Sequence, residues 1–107
     1  DALATDVRPL PLELLAEASR RQALEKRLKT EVFDVCDRAA QLPPADLVVA
    51  SDVLYDTSVA DAVARRVAEA RRRGSVVLVG DSGRPNRDVF LAALRRLLPD
   101  EPCEFTC

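Results

Sequence analysis

Four aspartates stand where an apolar run gives way to a turn: Asp6 after Ala4-Thr5, Asp34 after Val32-Phe33, Asp52 after Val49-Ala50-Ser51, and Asp81 after Leu78-Val79-Gly80. An ionised carboxylate only accepts hydrogen bonds, which suits it to ribose hydroxyls, an exocyclic amine or a cationic substrate. Tyr55 places a phenol three residues beyond Asp52. The chain contains no histidine, so the usual general base of a Ser-His or Cys-His site is missing and any chemistry rests on carboxylates, Tyr55, Lys, Arg or backbone groups. Any single Asp has a structural reading, because its side chain bonds nearby N–H groups in turns and at helix starts. The repetition at four successive strand ends is what points to a ligand.

The elements that must position these residues follow from the hydrophobic pattern. Ala45–Ser51 and Ser75–Gly80 are short continuous apolar runs of the kind that form strands buried on both faces of a parallel sheet. Between them Val59, Val63, Val67 and Ala70 recur at helical spacing, with Thr57 or Ser58 as N-cap and Gly74 in the C-terminal turn. A further helix, capped by Asn86, carries Phe90, Ala93, Leu94 and Leu97 and stops at Pro99. A last strand is expected to begin at Cys103-Glu104-Phe105. Upstream the pattern is weaker: a strand over Leu3 to Thr5, a helix starting near Pro11 with Leu14, Leu15, Ala18 and Leu24, and a strand over Thr30 to Phe33. Pro43-Pro44 fits a surface connection, since proline gives no N–H to a ladder and disfavours helix before it. Strands alternating with helices predict an α/β layer fold with a mostly parallel sheet, in which ligands sit at the carboxyl ends of the strands. No domain boundary is visible, and residues 1–107 read as one domain.

The 107 residues carry 16 basic and 18 acidic side chains, a formal net charge of -2, with 48% hydrophobic and 32% charged residues. That balance provides no global field to gather nucleic acid or anionic lipid. No apolar run approaches the roughly 20 residues of a membrane-spanning helix, and the opening lacks the pattern of a secretory signal. Cys36, Cys103 and Cys107 form no CxxC pair, which argues against a disulfide scaffold and against structural zinc. Gly74, Gly80 and Gly83 are the only glycines, and they make neither GxGxxG nor GxxxxGK, so a phosphate-cradling loop is not encoded. Arg71-Arg72-Arg73 falls in the last turn of a helix, where cations suit the dipole, and reads as a solvated end. Cys36 reads as an inert thiol near the strand end.

The run Ala45-Asp46-Leu47-Val48-Val49-Ala50-Ser51-Asp52-Val53-Leu54-Tyr55-Asp56, followed by a helix and then Val77-Leu78-Val79-Gly80-Asp81-Ser82-Gly83-Arg84-Pro85, resembles the later half of seven-β-strand S-adenosylmethionine-dependent methyltransferases. Within them it resembles methyltransferase family 16, above all protein-lysine methyltransferases of the electron-transfer-flavoprotein β-subunit type. Those carry Asp-x-x-Tyr after their fourth strand and Gly-Asp-x-Gly-Arg-Pro after their fifth. Asp52 to Tyr55 fits the first motif and Gly80 to Pro85 the second, and the likeness runs across nearly the whole chain. It implies a Rossmann-like three-layer sandwich with strand order 3-2-1-4-5-7-6. In that order the first strand and the final hairpin would be missing here, so the sequence is expected to be part of a longer methyltransferase, with a gap between the strands ending in Asp6 and Asp52.

Carried over by position, the resemblance implies that Asp6 accepts from the cofactor ribose hydroxyls. Asp34 would accept from the adenine amino group, with Asp37 as a rival, and the Val35 N–H would meet a ring nitrogen. Asp52 and Tyr55 would orient a lysine amine toward the methyl group, in-line placement being the main catalytic task. Tyr55 has an equal structural reading as an aromatic covering the top of the sheet with its hydroxyl wet. Arg84 would clamp an acidic group of the protein substrate or, with Pro85, simply shape the turn. No metal is implied. An electron-transfer-flavoprotein β-subunit substrate would place the protein in the mitochondrial matrix or the cytoplasm. Two other classes compete, a degenerate, non-catalytic protein-interaction module and a phosphoacceptor receiver domain, and within the methyltransferase class a small-molecule N-methyltransferase is the alternative. The receiver reading lacks a lysine after the last apolar strand, because Lys26 and Lys29 are the only lysines.

Overall fold

The computed structural model describes residues 1–83 and 85–101. Arg84 and the strand expected from Cys103 lie outside the described residues, as does Cys107. The elements run β1 (Ala2–Asp6), α1 (Pro9–Arg21), β2 (Leu28–Val32), β3 (Leu47–Ser51), α2 (Thr57–Arg72), β4 (Val76–Gly80) and α3 (Arg87–Leu97). Content is mixed α/β, with the strands in two parallel pairs, β1–β2 and β3–β4. The chain divides into two compact units, Asp1–Asp34 and Val35–Cys107. Among the described residues no helix is long and apolar enough to cross a membrane.

In the first unit β1 and β2 run in register from Ala2 opposite Leu28 to Asp6 opposite Val32, and the Phe33 N–H donates to the Asp6 carbonyl at 2.9 Å, one step beyond the pair. α1 connects them and packs on both. Proline suits the first turn of a helix, where its missing N–H would have no partner, and α1 accordingly begins at Pro9. The expected apolar face of α1 needs correction. Leu12 and Ser19 are buried, whereas Leu14 is 64% exposed and Leu24 lies past the helix end. Ser19 can be buried because its hydroxyl donates to the Ala16 carbonyl at 2.8 Å, which satisfies it within the helix.

The second unit is a strand-helix-strand followed by a helix. β3 and β4 pair from Leu47 opposite Val76 to Ser51 opposite Gly80. Its core gathers Leu54, Val59, Ala60, Val63, Ala64 and Val67 with Phe90, Ala93 and Leu94 of α3, and Val77 and Val79 of β4 pack against it. α2 and α3 thus cover one side of β4. The other side of the pair, with Leu47, Val49, Val76 and Leu78, is more than half exposed. The expectation of strands buried on both faces therefore holds for one face only.

α2 is buried over a much wider arc than the valine spacing predicts, because Ala60, Ala62, Ala64, Ala68 and Ala70 are also sealed off. Of these, Ala60 and Ala64 join the core shared with α3. The helix starts at Asp56, whose carboxylate accepts from the Val59 N–H at 2.8 Å. Neither Thr57 nor Ser58 is the cap; Ser58 instead donates to the same carboxylate. At the other end Gly74 adopts φ +86, its N–H donates to Arg71 and the Ser75 N–H to Ala70. These are the paired bonds of a Schellman ending, which needs a residue at positive φ. Arg72 and Arg73 are exposed there, as expected of a solvated end, and all three arginines also make bonds across the unit. Arg71 pairs with Glu101 and donates to the Ser75 carbonyl. Arg72 donates to Leu97, and Arg73 reaches the Leu42 carbonyl.

Candidate functional site

Parallel pairing puts the ends of β3 and β4 side by side, and with them the two sequence motifs. The Asp52 N–H donates to the Gly80 carbonyl at 2.9 Å, so Asp52 sits one step beyond the last paired residues and next to Asp81. Asp52 itself adopts φ +53. The left-handed region disfavours side-chain-bearing residues, with Asp and Asn the usual exceptions, and the turn lifts residue 52 off the strand path. Two residues on, Leu54 is fully buried. Tyr55 then faces outward at 57% exposed, and Asp56 opens α2. The segment is pinned between its ends, with Leu54 as the anchor and Asp52 and Tyr55 displayed on either side.

Asn86 completes this arrangement and was missed as a site residue, since its position reads as a helix cap. Its side chain makes no capping bond to α3. Instead its amide donates to the Leu54 carbonyl at 3.3 Å, and the Thr57 hydroxyl approaches its oxygen at 3.5 Å. Asn86 directly follows the Gly80–Pro85 motif, so the two motifs are tied together twice: through the strand ladder and through Asn86. Nothing in the sequence signals a side chain whose target is a backbone carbonyl 32 residues away.

The other strand-end acids divide between the units. Asp6 ends β1, and its carboxylate accepts from the Arg8 N–H at 2.8 Å. Asp34 closes the same unit and is exposed. Asp81 accepts from the Gly83 N–H at 3.0 Å, and Asp37 from the Ala39 N–H at 3.0 Å. Asp6, Asp37 and Asp81 therefore each close a turn two residues ahead with one carboxylate oxygen, which realises the structural reading. Asp52 and Tyr55 differ: neither side chain is hydrogen-bonded or ion-paired to another described residue. Val35 belongs to the second unit and packs against its core. Cys36 is exposed. Arg84 lies outside the described residues. Among the described residues no cluster of three or more His, Cys, Asp or Glu is placed to hold a metal ion.

The carboxylate of Asp56 is bonded at the start of α2. Its N–H bond from Val59 and then the Ser58 hydroxyl stabilise the ionised form and hold it below the ordinary carboxylate range. A carboxyl depressed on folding adds stability above its unfolded pKa, and that stability is lost as pH falls through the folded value. Asp56→Ala is expected to lower the melting temperature by about 5 °C at pH 7. Asp56→Asn, which still caps, should lose much less. The gap between wild type and Asp56→Ala should narrow on acidification below the carboxylate range; thermal melts at stepped pH read this directly, and a gap that is constant with pH would contradict the assignment.

No family model matches the chain, and comparison with curated proteins and with solved structures gives no match either.

Proposed function

We propose that this chain supplies part of a Rossmann-like, S-adenosylmethionine-dependent methyltransferase domain whose acceptor is a lysine amine of a protein. The observation that carries the reading is the joining of Asp52–Tyr55 and Gly80–Pro85 at one end of a parallel pair, with Asp52 and Tyr55 unengaged by other described side chains. The pairing pattern supports it as well. In the strand order 3-2-1-4-5, removing the central strand leaves two parallel pairs, and two parallel pairs are what the chain contains.

The residues fit the cofactor in part. Asp6 retains a second carboxylate oxygen for ribose hydroxyls, while the roles of Asp34 and of the Val35 N–H toward adenine rest on the family resemblance alone. No residue of the sequence supplies a glycine cradle for the methionine portion. The cofactor, when bound, brings an already activated methyl on a sulfonium. The task left to the protein is placement: the Asp52 carboxylate accepts an N–H of the incoming amine, the Tyr55 hydroxyl takes or gives a second hydrogen bond, and the nitrogen lone pair is held in line. Arg84 is assigned to an acidic group near the acceptor lysine. An electron-transfer-flavoprotein β-subunit fits this acceptor class, with the mitochondrial matrix or the cytoplasm as the compartment.

Calorimetric titration of S-adenosylmethionine tests the proposal, using the 107-residue chain beside the same chain extended ahead of Asp1 by a strand and glycine-rich loop. Binding to the extended chain, in the micromolar range typical of enzyme ligands, is the expected result. Absence of binding to both overturns the reading. It would leave the non-catalytic interaction module, which the exposed Leu47, Val49, Val76 and Leu78 face favours.

A further inference from the structure

The segment after β2 contains no regular element between Phe33 and Asp46, yet a row of α2 side chains dictates its path. Arg66, with a side chain only 13% exposed, donates to the Val35 carbonyl at 3.1 Å, to the Ala40 carbonyl at 2.8 Å and to the Asp37 carbonyl. One guanidinium thus gathers three carbonyls from six consecutive residues. Glu69 steadies the clamp. It pairs with Arg66 at 3.0 Å and with Arg73, and it accepts the Leu42 N–H at 3.2 Å, while Arg73 donates to the Leu42 carbonyl.

We propose that Arg66 is a positioning residue that preforms loop 35–42 as a base-recognition element, fixing Val35 so that its N–H is presented to an adenine ring. The inference rests on the methyltransferase reading above and deepens it. Val35 is held at two points, its side chain against the core and its carbonyl on Arg66, and its N–H donates to no described residue. A backbone donor fixed before the ligand arrives avoids the ordering cost that a loose loop would charge on binding. The planar fork is essential to this, because a lysine ammonium is a point donor on a flexible stem and cannot span three separated carbonyls.

The test pairs hydrogen exchange with binding, using whichever chain takes up cofactor in the titration above. Arg66→Lys keeps the charge and removes the fork. It should raise amide exchange across residues 36–42 by about 10-fold or more while the α3 core amides stay unchanged. Affinity for S-adenosylhomocysteine and for adenosine alone should weaken together by about 10-fold, with kcat retained and only the cofactor KM raised. Arg65→Ala, which removes a cation paired with Asp61 on the same helix, should change neither. A loosened loop with undiminished adenosine affinity would overturn the positioning role, and an unchanged loop would overturn the clamp itself. Failure of the wild-type protein to bind cofactor would sink the methyltransferase reading and the ligand role with it, while the exchange data would still report on the clamp.

Discussion

Leu54→Ala is expected to destabilise the Val35–Cys107 unit by about 3 kcal/mol, the middle of the range for deleting a buried leucine. Among the described residues Leu54 is the largest side chain that is fully sealed from solvent. Its cavity would open among Val59, Val63 and Phe90, on elements held in place by the Schellman ending, the arginine fasteners and the strand ladder. Such a site relaxes poorly, which is the condition under which the cavity cost is felt in full. Chemical denaturation followed by circular dichroism measures the loss, and Tyr55→Ala, one residue away but exposed, should cost less than about 1 kcal/mol. A small effect for Leu54→Ala would mean that the Asp52–Tyr55 segment is not anchored through the core.

Asp52 carries the second large effect, because its backbone and its charge can be separated. Asparagine tolerates the left-handed region nearly as well as aspartate, so Asp52→Asn should leave stability within about 0.5 kcal/mol. If the carboxylate orients the acceptor amine, the same substitution should lower methyl transfer by about 100-fold, with cofactor affinity held within about two-fold. Asp52→Val tests the opposite combination. A β-branched residue at φ +53 is strained by about 1–2 kcal/mol and should lower stability as well as rate. Loss of rate in the valine variant with full activity in the asparagine variant would assign Asp52 to the turn and not to the chemistry.

The legible parts of this molecule are those whose signal is periodic. The continuous apolar runs located β3 and β4, and valine spacing located α2, because burial of β-branched residues at regular intervals leaves a pattern that nothing else mimics. Alanine hides the rest of the α2 core: Ala60 and Ala64 are buried in the cluster shared with α3, and no hydropathy pattern distinguishes them from alanines kept for helix propensity. On α1 the pattern misled outright, since Leu14 is exposed while Ser19 is buried with its hydroxyl returned to its own helix. Caps were ambiguous for a different reason. Asp56, Thr57 and Ser58 are all good caps, and only the position of the Val59 N–H decides among them. In the candidate site the strand-end aspartates were readable from composition and place. Asn86 and Arg66 were not, because their partners are main-chain carbonyls, which every residue possesses and no letter of the sequence records.

The alanine-lined side of α2 also determines how this sequence can diverge. Where two helices meet through Ala60 and Ala64, the space for change is set by the distance between backbones and not by polarity, so drift there is confined to glycine, alanine and serine. The strand-end aspartates face no such limit, and several of them close turns that asparagine or serine would close as well. A lineage descended from this chain could exchange its ligand many times over while the helix pair stayed almost the same. The small-residue spacing would then outlast the chemical motifs as the record of common ancestry.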